Sequence, residues 1–376
     1  MSFFEIHKSE LVKGLSLVQG ITGRRTTLPI LSHLYMEWKK DGLFLTATDL
    51  ETGIQETLKA EVFEEGRASV SAKKLYEIVR ELPEGMIQIR KKENHWINLQ
   101  CEKSVFNLVG LDPDEFPSFP SFQEKLFSYI SGTTLKEMIE KTAFAASNEE
   151  SRYHIHGILF IQQRLNGKEG LRLVATDGHR LSLIDRECSP IKGIEKGVLL
   201  PKKGVLEIKK VLGEMGEDKE VGIYFNQTHG FFKMGSSLMA IRLIEGEYPE
   251  YEQVIPKDND KIIKIEKERF YGSLRRISTM ASERLEGIKL SFKRNLLELS
   301  SFHQDFGDAK EELDVLYEGP PLEVGFNARY LLDALQVMDT SFIYMELKDE
   351  GSPCTLRPET SKPPSDQLCI VMPMRI

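Results

Sequence analysis

Three stretches of the chain carry apolar residues three and four positions apart. They are "KSELVKGLSLVQGI" (8–21), "TLKEMIEKTAFAAS" (134–147) and "EKERFYGSLRRISTMAS" (266–282). That period predicts a helix with one buried face. The period then drops to two. "LFLTATDLETGI" (43–54), "HIHGILFIQQ" (154–163) and "GLRLVATD" (170–177) alternate as half-buried strands do. A second helix is predicted to begin near Ser71, Pro201 and Asn327, residues suited to a helix N-terminus.

The recurrence is an internal repeat. Ala-Thr-Asp closes an alternating run at Asp49 and again at Asp177, and "LLELSSFHQDFG" (296–307) is a third copy without the Thr-Asp. "SVSAKKLYEIVRELPEG" (69–85) matches "LLPKKGVLEIKKVLGEMG" (199–216) and "VGFNARYLLDALQVM" (324–338). "LDPDEFPSFP" (111–120) matches "IEGEYPEYEQVIP" (244–256). A unit of about 125–130 residues is a whole domain, far longer than a solenoid repeat. We expect three similar α+β domains in tandem, over 1–124, 125–255 and 256–376, each with two helices and about eight strands on β-sheets.

Composition narrows the class. The 376 residues are 40% hydrophobic and 29% charged, an ordinary globular balance. No apolar run reaches the roughly 20 residues of a membrane span. "MSFFEIHKSE" carries no basic stretch leading into an apolar one, so no secretory signal is predicted. The scattered cysteines Cys101, Cys188, Cys354 and Cys369 fit reduced thiols in a cytosol. The net charge of −8 argues against tight electrostatic binding of nucleic acid. Positive charge is nevertheless clustered at Lys73–Lys74, Lys202–Lys203, Lys209–Lys210 and Arg329, along 264–284, and at Arg24–Arg25. Its recurrence at equivalent helices predicts one basic surface that holds phosphates loosely.

Two features suggest chemistry. Asp177 and His179 in "ATDGHRLSL" form a possible acid/base couple, but no nucleophile or pocket stands beside them, and the sister "TATDLETGI" has no histidine. His154 and His156 would share a face of a strand and could bind a metal, but no third ligand is evident. A hydrolase or transferase built on Asp177/His179, and a plain DNA-binding protein, remain the alternatives on residues alone. No cofactor is expected.

"TTLPILSHLYMEWKKDGLFLTATDLETGI", "ATDGHRL", "EYPEYEQVIP" and the terminal "VMPMRI" together resemble the bacterial DNA polymerase III β subunit, the sliding-clamp family, over essentially the whole chain. The resemblance implies a DNA-clamp fold that assembles head to tail into a homodimeric ring around duplex DNA. It implies a cytoplasmic, non-catalytic processivity factor, associated with the nucleoid during replication. Its partners would be the replicative polymerase's catalytic subunit, the clamp loader, and other polymerases and repair proteins carrying short linear motifs.

By the same resemblance, a peptide cleft is lined by Ile155, Thr176, Gly178, His179, Arg180, Leu181, Pro249, Val254, Ile370, Val371, Met372, Pro373, Met374 and Arg375. DNA contacts fall to Arg25, Lys73, Arg152, Tyr153, Lys202 and Arg284, and the dimer seam to Phe106 and Met280. Two positions depart from the family pattern. Gln253 replaces a basic residue near the cleft, and Glu149 replaces an uncharged polar one near the DNA-contact loop.

Overall fold

A computed structural model describes residues 2–22, 28–149, 153–165, 167–216, 219–281, 287–360 and 366–375. Its helices are α1 (Lys8–Val18), α2 (Ala72–Glu81), α3 (Gly132–Glu140), α4 (Lys202–Glu214), α5 (Lys267–Ser278) and α6 (Ala328–Gln336). The second helix of each repeat starts where the sequence places it. Ser71 caps α2 by accepting from the Lys74 N–H, and Asn327 caps α6 by accepting from the Arg329 N–H. Lys202 follows Pro201 directly at the start of α4. The stretch 134–147 is helical only to Glu140, and a short 3₁₀ turn at Ala143–Ala145 follows.

The chain forms two compact units. The first contains Met1–Lys136, Ser189–Glu195 and Lys203–Leu243, and the second contains Glu137–Cys188, Lys196–Lys202 and Ile244–Ile376. The residues between about 130 and 250 are therefore shared between the two. The reason lies in the sheets.

In the first unit, nine antiparallel strands form one sheet. Their order is Gly110–Leu111, Gly66–Ser71, His33–Lys39, Gly42–Thr48, Thr52–Leu58, Ser237–Arg242, His229–Met234, Glu220–Phe225 and Ser128–Ser131. Thr52–Leu58 and Ser237–Arg242 are nearly two hundred residues apart and are hydrogen-bonded neighbours, paired from Thr52↔Ile241 to Glu56↔Ser237. A separate five-stranded sheet runs Glu61–Glu64, Phe3–His7, Met86–Lys91, Ile97–Cys101, Ser104–Leu108. α1 and α2 pack side by side, burying Leu11, Leu15, Leu75 and Val79.

The second unit repeats this plan. Its eight-stranded sheet runs Val198–Pro201, Gly157–Leu165, Lys168–Thr176, Arg180–Glu187, Gln367–Val371, Cys354–Pro358, Phe342–Leu347, Lys261–Glu266. The long-range join pairs Arg180↔Val371 through Ile184↔Gln367. A four-stranded sheet runs Gly307–Asp314, Leu296–His303, Gly287–Lys293, Leu322–Asn327. One core, built from α5, α6 and both sheets, includes Phe270, Leu274, Phe292, Leu331, Met345 and Val371. Each join buries strand edges that would otherwise present unpaired backbone groups.

Candidate functional site: an apolar cleft beside a side-chain-built turn

The second unit's join gathers most of the residues expected to line the cleft. Leu159, Val174, Leu183 and Leu368 lie opposite one another across four adjacent strands, and Leu181 faces Ile370 in the next row. With period-two side-chain direction, both rows project from one face of the sheet. Together with Tyr251 they form a small apolar cluster, flanked by Ile161, Tyr248 and Ile255. A cavity of about 750 Å³ opens beside it, lined by Leu159, Ile161, Leu199, Tyr248, Pro249 and Gln253 among others. Burial pushes the Tyr248 phenol well above its ordinary pKa, with its hydroxyl against the Thr176 backbone and near Asp177.

At the rim stands the turn between Lys168–Thr176 and Arg180–Glu187. The Thr176 hydroxyl donates to the Arg180 carbonyl at 2.6 Å and accepts from the Gly178 N–H at 3.1 Å. One carboxylate oxygen of Asp177 accepts from the N–H groups of His179 (2.9 Å) and Arg180 (3.0 Å). Gly178 takes φ +88°, a left-handed conformation that glycine adopts without penalty. The Asp177 carboxylate is therefore engaged by backbone amides and by the Arg180 Nε at 3.0 Å. The His179 imidazole instead lies near-parallel to the Tyr330 ring, at 6.2 Å. This geometry removes the acid/base couple that the sequence suggested.

The chain's last described residues lie along this turn. Met372 donates its N–H to the His179 carbonyl (2.9 Å) and Met374 to the Gly325 carbonyl (2.9 Å). Pro373, Met374 and Arg375 line a second cavity of about 740 Å³, with Lys289, Glu323 and Glu350. The predicted cleft residues thus fall into groups. Leu181 and Ile370 belong to the apolar floor, Thr176, Gly178 and His179 form the turn, Pro249 lines the first cavity, and the tail lines the second. Val254 is exposed, and Ile155 is half-buried, its carbonyl accepting from the Ser147 N–H.

Two residues take different positions from those expected. Val371 points into the main core on the opposite face of the sheet, as strand alternation requires next to Ile370. Arg180 is turned inward, its side chain 11% exposed, and is held by protein groups rather than presented to a ligand.

The histidine pair also differs. Tyr153–Ile155 is a 3₁₀ turn and the strand begins only at Gly157, so His154 and His156 do not share a strand face. Among the described residues no group of three or more His, Cys, Asp or Glu is placed to hold a metal. All four cysteines are free, and burial pushes Cys188 and Cys369 up to about 11.

Of the predicted DNA contacts, Lys73 is exposed on α2, with Glu77 3.8 Å away. Lys202 is half-buried and donates to the Ala146 carbonyl (2.8 Å) and Asn148 Oδ1 (2.7 Å). Burial and the nearby Arg180 lower its pKa. Arg25, Arg152 and Arg284 lie outside the described residues, as does the Tyr153 side chain. Phe106 sits on the edge strand Ser104–Leu108, and Met280 follows α5, its N–H donating to the Ile277 carbonyl at 3.1 Å.

Leu159, Val174, Leu183, Leu368, Tyr248, Tyr251, Tyr330 and Asp333 were not singled out from sequence. The two tyrosines flank Pro249 in "EYPEY", and their spacing was a usable signal. Leu159, Val174, Leu183 and Leu368 meet only through cross-strand register, and Tyr330 and Asp333 reach the turn from α6, neither of which a local pattern encodes.

Repeated α+β domains joined sheet to sheet, with an apolar cleft at one join, define a DNA-clamp fold. Comparison with known proteins agrees. Models of the DNA polymerase III beta subunit match the chain with its N-terminal domain at 2–120, its central domain at 129–250 and its C-terminal domain at 252–375. The beta sliding clamp of Pseudomonas aeruginosa is 32% identical over 374 residues, covering 99% of this chain and 100% of that one. That of Escherichia coli K12 is 31% identical over 377 residues, with the same coverage. A Caulobacter crescentus beta sliding clamp, solved with PEG bound to its putative beta-motif tethering region, is 31% identical with a TM-score of 0.93, each chain fully covered. A P. aeruginosa clamp bound to griselimycin gives 32% and 0.92, also with full coverage.

The chain belongs to the DNA polymerase III beta subunit family. Its role is that of a beta sliding clamp in DNA replication, a processivity factor rather than a catalytic enzyme. No helix among the described residues is long and apolar enough to cross a membrane.

Proposed function

We propose that two copies of this chain close head to tail into a ring around duplex DNA. The ring slides in the cytoplasm and tethers the replicative polymerase, the clamp loader and other motif-bearing polymerases and repair proteins through the cleft. The domains are 1–124, 125–255 and 256–376. Tethering acts through effective concentration: a polymerase that lets go of the primer stays within reach of it.

The observation that carries the dimer is an accounting of strand edges. Each join pairs the third strand of one meander with the third strand of another, over five residue pairs. A further hydrogen bond extends each join at both ends. At one end the Thr57 N–H donates to Ser236 O at 3.1 Å, and the Asp185 N–H to Asp366 O at 2.8 Å. At the other the Arg242 N–H donates to Glu51 O at 2.7 Å, as the Met372 N–H does to His179 O at 2.9 Å. Two half-joins are left over. Ser104–Leu108 ends the five-stranded sheet and Gly307–Asp314 ends the four-stranded one.

They carry large exposed apolar residues. Val105, Phe106 and Val109 are 54%, 36% and 60% exposed on one side, and Phe302 and Phe306 are 72% and 75% exposed on the other. The hairpin pairs Thr48↔Gly53, Thr176↔Leu181 and Phe302↔Asp308 are equivalent. Carried across, that equivalence sets Gly307 opposite Leu108 of a second copy, Ala309 opposite its Phe106 and Glu311 opposite its Ser104. A Val109 N–H to Phe306 O bond completes the match. Met280 flanks the same seam.

Light scattering at micromolar concentration tests this. A dimer is expected, Phe106→Asp should give monomers, and a monomeric wild type would overturn the ring. Arg25, Lys73, Arg152, Tyr153, Lys202 and Arg284 are the proposed DNA-facing residues. Because the ring holds DNA by enclosure, clamp loaded on circular DNA should survive high salt and leave linear DNA by its ends. Equal loss from both would point to ordinary electrostatic binding.

A further inference from the structure

The geometry points to Asp333 as a positioning residue of the peptide cleft, acting through Arg180 on the turn at Asp177–His179. The inference rests on the cleft reading above and deepens it.

The Arg180 guanidinium spends every edge on protein. Nε donates to Asp177 Oδ2 at 3.0 Å, Nη1 to Asp333 Oδ2 at 2.5 Å, and Nη2 to the Phe144 carbonyl at 3.0 Å. Its faces lie over the Tyr330 and Phe144 rings, at 4.6 and 5.3 Å from their centres. Tyr330 and Asp333 are one turn apart on α6, so both sit on one face of that helix. Tyr330 also carries the His179 ring stacked against it.

The turn is therefore held twice from α6. Asp333 grips it through Arg180 and Asp177, and Tyr330 grips it through His179. The Met372 amide hangs from the same turn by its bond to the His179 carbonyl. These contacts to α6 fix where the turn stands. A planar fork satisfied on three sides has one geometry, which a point charge would not impose.

The partner peptide then meets a wall already in place, and little ordering is left for binding to accomplish. Asp333→Asn keeps the shape but loses the charge that orients the fork. Asp177 is then the only carboxylate left on Arg180, beside the Phe144 carbonyl, and the turn that carries His179 and Met372 loses its charged tie to α6.

Griselimycin, which a relative's structure contains, is the probe, titrated calorimetrically into the full-length wild type, Asp333→Asn, Asp333→Glu and Tyr330→Leu. Asp333→Asn should bind about tenfold more weakly, the size of one coupling within a shared network. Asp333→Glu, which restores the carboxylate, should recover most of that loss. Hydrogen exchange at the Met372 amide should quicken in Asp333→Asn and not in Asp333→Glu, while exchange across the Thr52–Leu58 join stays as in wild type.

If Asp333→Asn fails to fold, Asp333→Glu carries the test: near-wild-type binding and Met372 exchange are expected of it, and Tyr330→Leu separately should weaken binding through His179. Wild-type affinity and Met372 exchange in Asp333→Asn and Tyr330→Leu would overturn the inference and leave the cleft standing. Equal weakening by Asp333→Asn and Asp333→Glu, with Met372 exchange unchanged, would also overturn it. Absence of griselimycin binding by the wild type would overturn the cleft reading and this inference together.

Discussion

The two internal joins are built alike and furnished differently. Both pair five residues and are extended by a backbone bond at each end, and both stand beside a turn held in shape by the same two kinds of side chain. At Thr48–Thr52 the Thr48 hydroxyl accepts from the Leu50 N–H at 3.0 Å, and Asp49 Oδ1 accepts from Glu51 and Thr52 at 3.0 and 2.7 Å. Leu50 sits at φ +75° where Gly178 sits at +88°. The Ala-Thr-Asp repeat is thus a turn-making device, and Asp177 is present for the same reason as Asp49.

What lies on the sheet beside the turn differs. The row Leu159–Val174–Leu183–Leu368 in one join is Tyr35–Thr46–Gln55–Leu238 in the other. Thr46 and Gln55 face each other at 3.4 Å, and the cavity beside them, walled by Phe116, Pro117 and Phe119, holds about 270 Å³ against about 750 Å³. The comparison teaches that the joint makes the fold and the side chains set on it make the site. An apolar row awaits a partner, whereas a row that satisfies its own polar groups does not.

Several experiments can break that comparison. Removing Met372–Ile376 should abolish griselimycin binding while dimers persist in light scattering, and unchanged affinity would reject the cleft. Next in size, giving the second join the first join's row, Val174→Thr with Leu183→Gln, should weaken binding at least about tenfold. The reciprocal Thr46→Val with Gln55→Leu should leave the natural site untouched, so a changed affinity there would count against a local cause.

Asp177→Ala and Asp49→Ala should each cost about 2 kcal/mol of stability by stranding amides of the turn. Only the first should affect binding, as denaturant melts and calorimetry would reveal.

The smallest effect concerns Glu56, buried at the first join and accepting from the Ser236 and Ser237 hydroxyls, with Lys13 nearby. Burial raises its pKa above the ordinary 4.5. A carboxyl raised in the folded state binds protons more tightly there than in the unfolded chain. Stability is therefore lost as pH climbs from the unfolded value through the folded one. Glu56→Gln should raise the melting temperature at neutral pH, and the gain should shrink as pH falls toward 4.5. The opposite trend would mean that the ionised carboxylate stabilises the joint.

Much of this was legible in the sequence. The threefold repeat and the helix starts at Ser71, Pro201 and Asn327 followed from period and capping residues, and the resemblance named the tail and the turn that the fold brings together. The joins did not. Thr52–Leu58 pairs with a strand nearly two hundred residues away, and nothing local at Glu56 names Ser237 as its neighbour. For that reason the floor residues other than Leu181 and Ile370, and the inward Arg180, escaped notice. Arginine beside histidine on a rim looks like a ligand contact until α6 supplies the carboxylate and ring that turn it inward. The histidine pair misled for a simpler reason: the alternation at 154–163 begins three residues before the strand does.

The edge strand Gly307–Asp314 has a further consequence for the newly made chain. It is an open template of backbone donors and acceptors, the kind of surface on which chains pile up indiscriminately. Asp308, Lys310, Glu311, Glu312 and Asp314 crowd it with charge. During synthesis such a strand repels casual strands by its charge. A guard against indiscriminate pairing of new chains is thereby written into a single eight-residue strand.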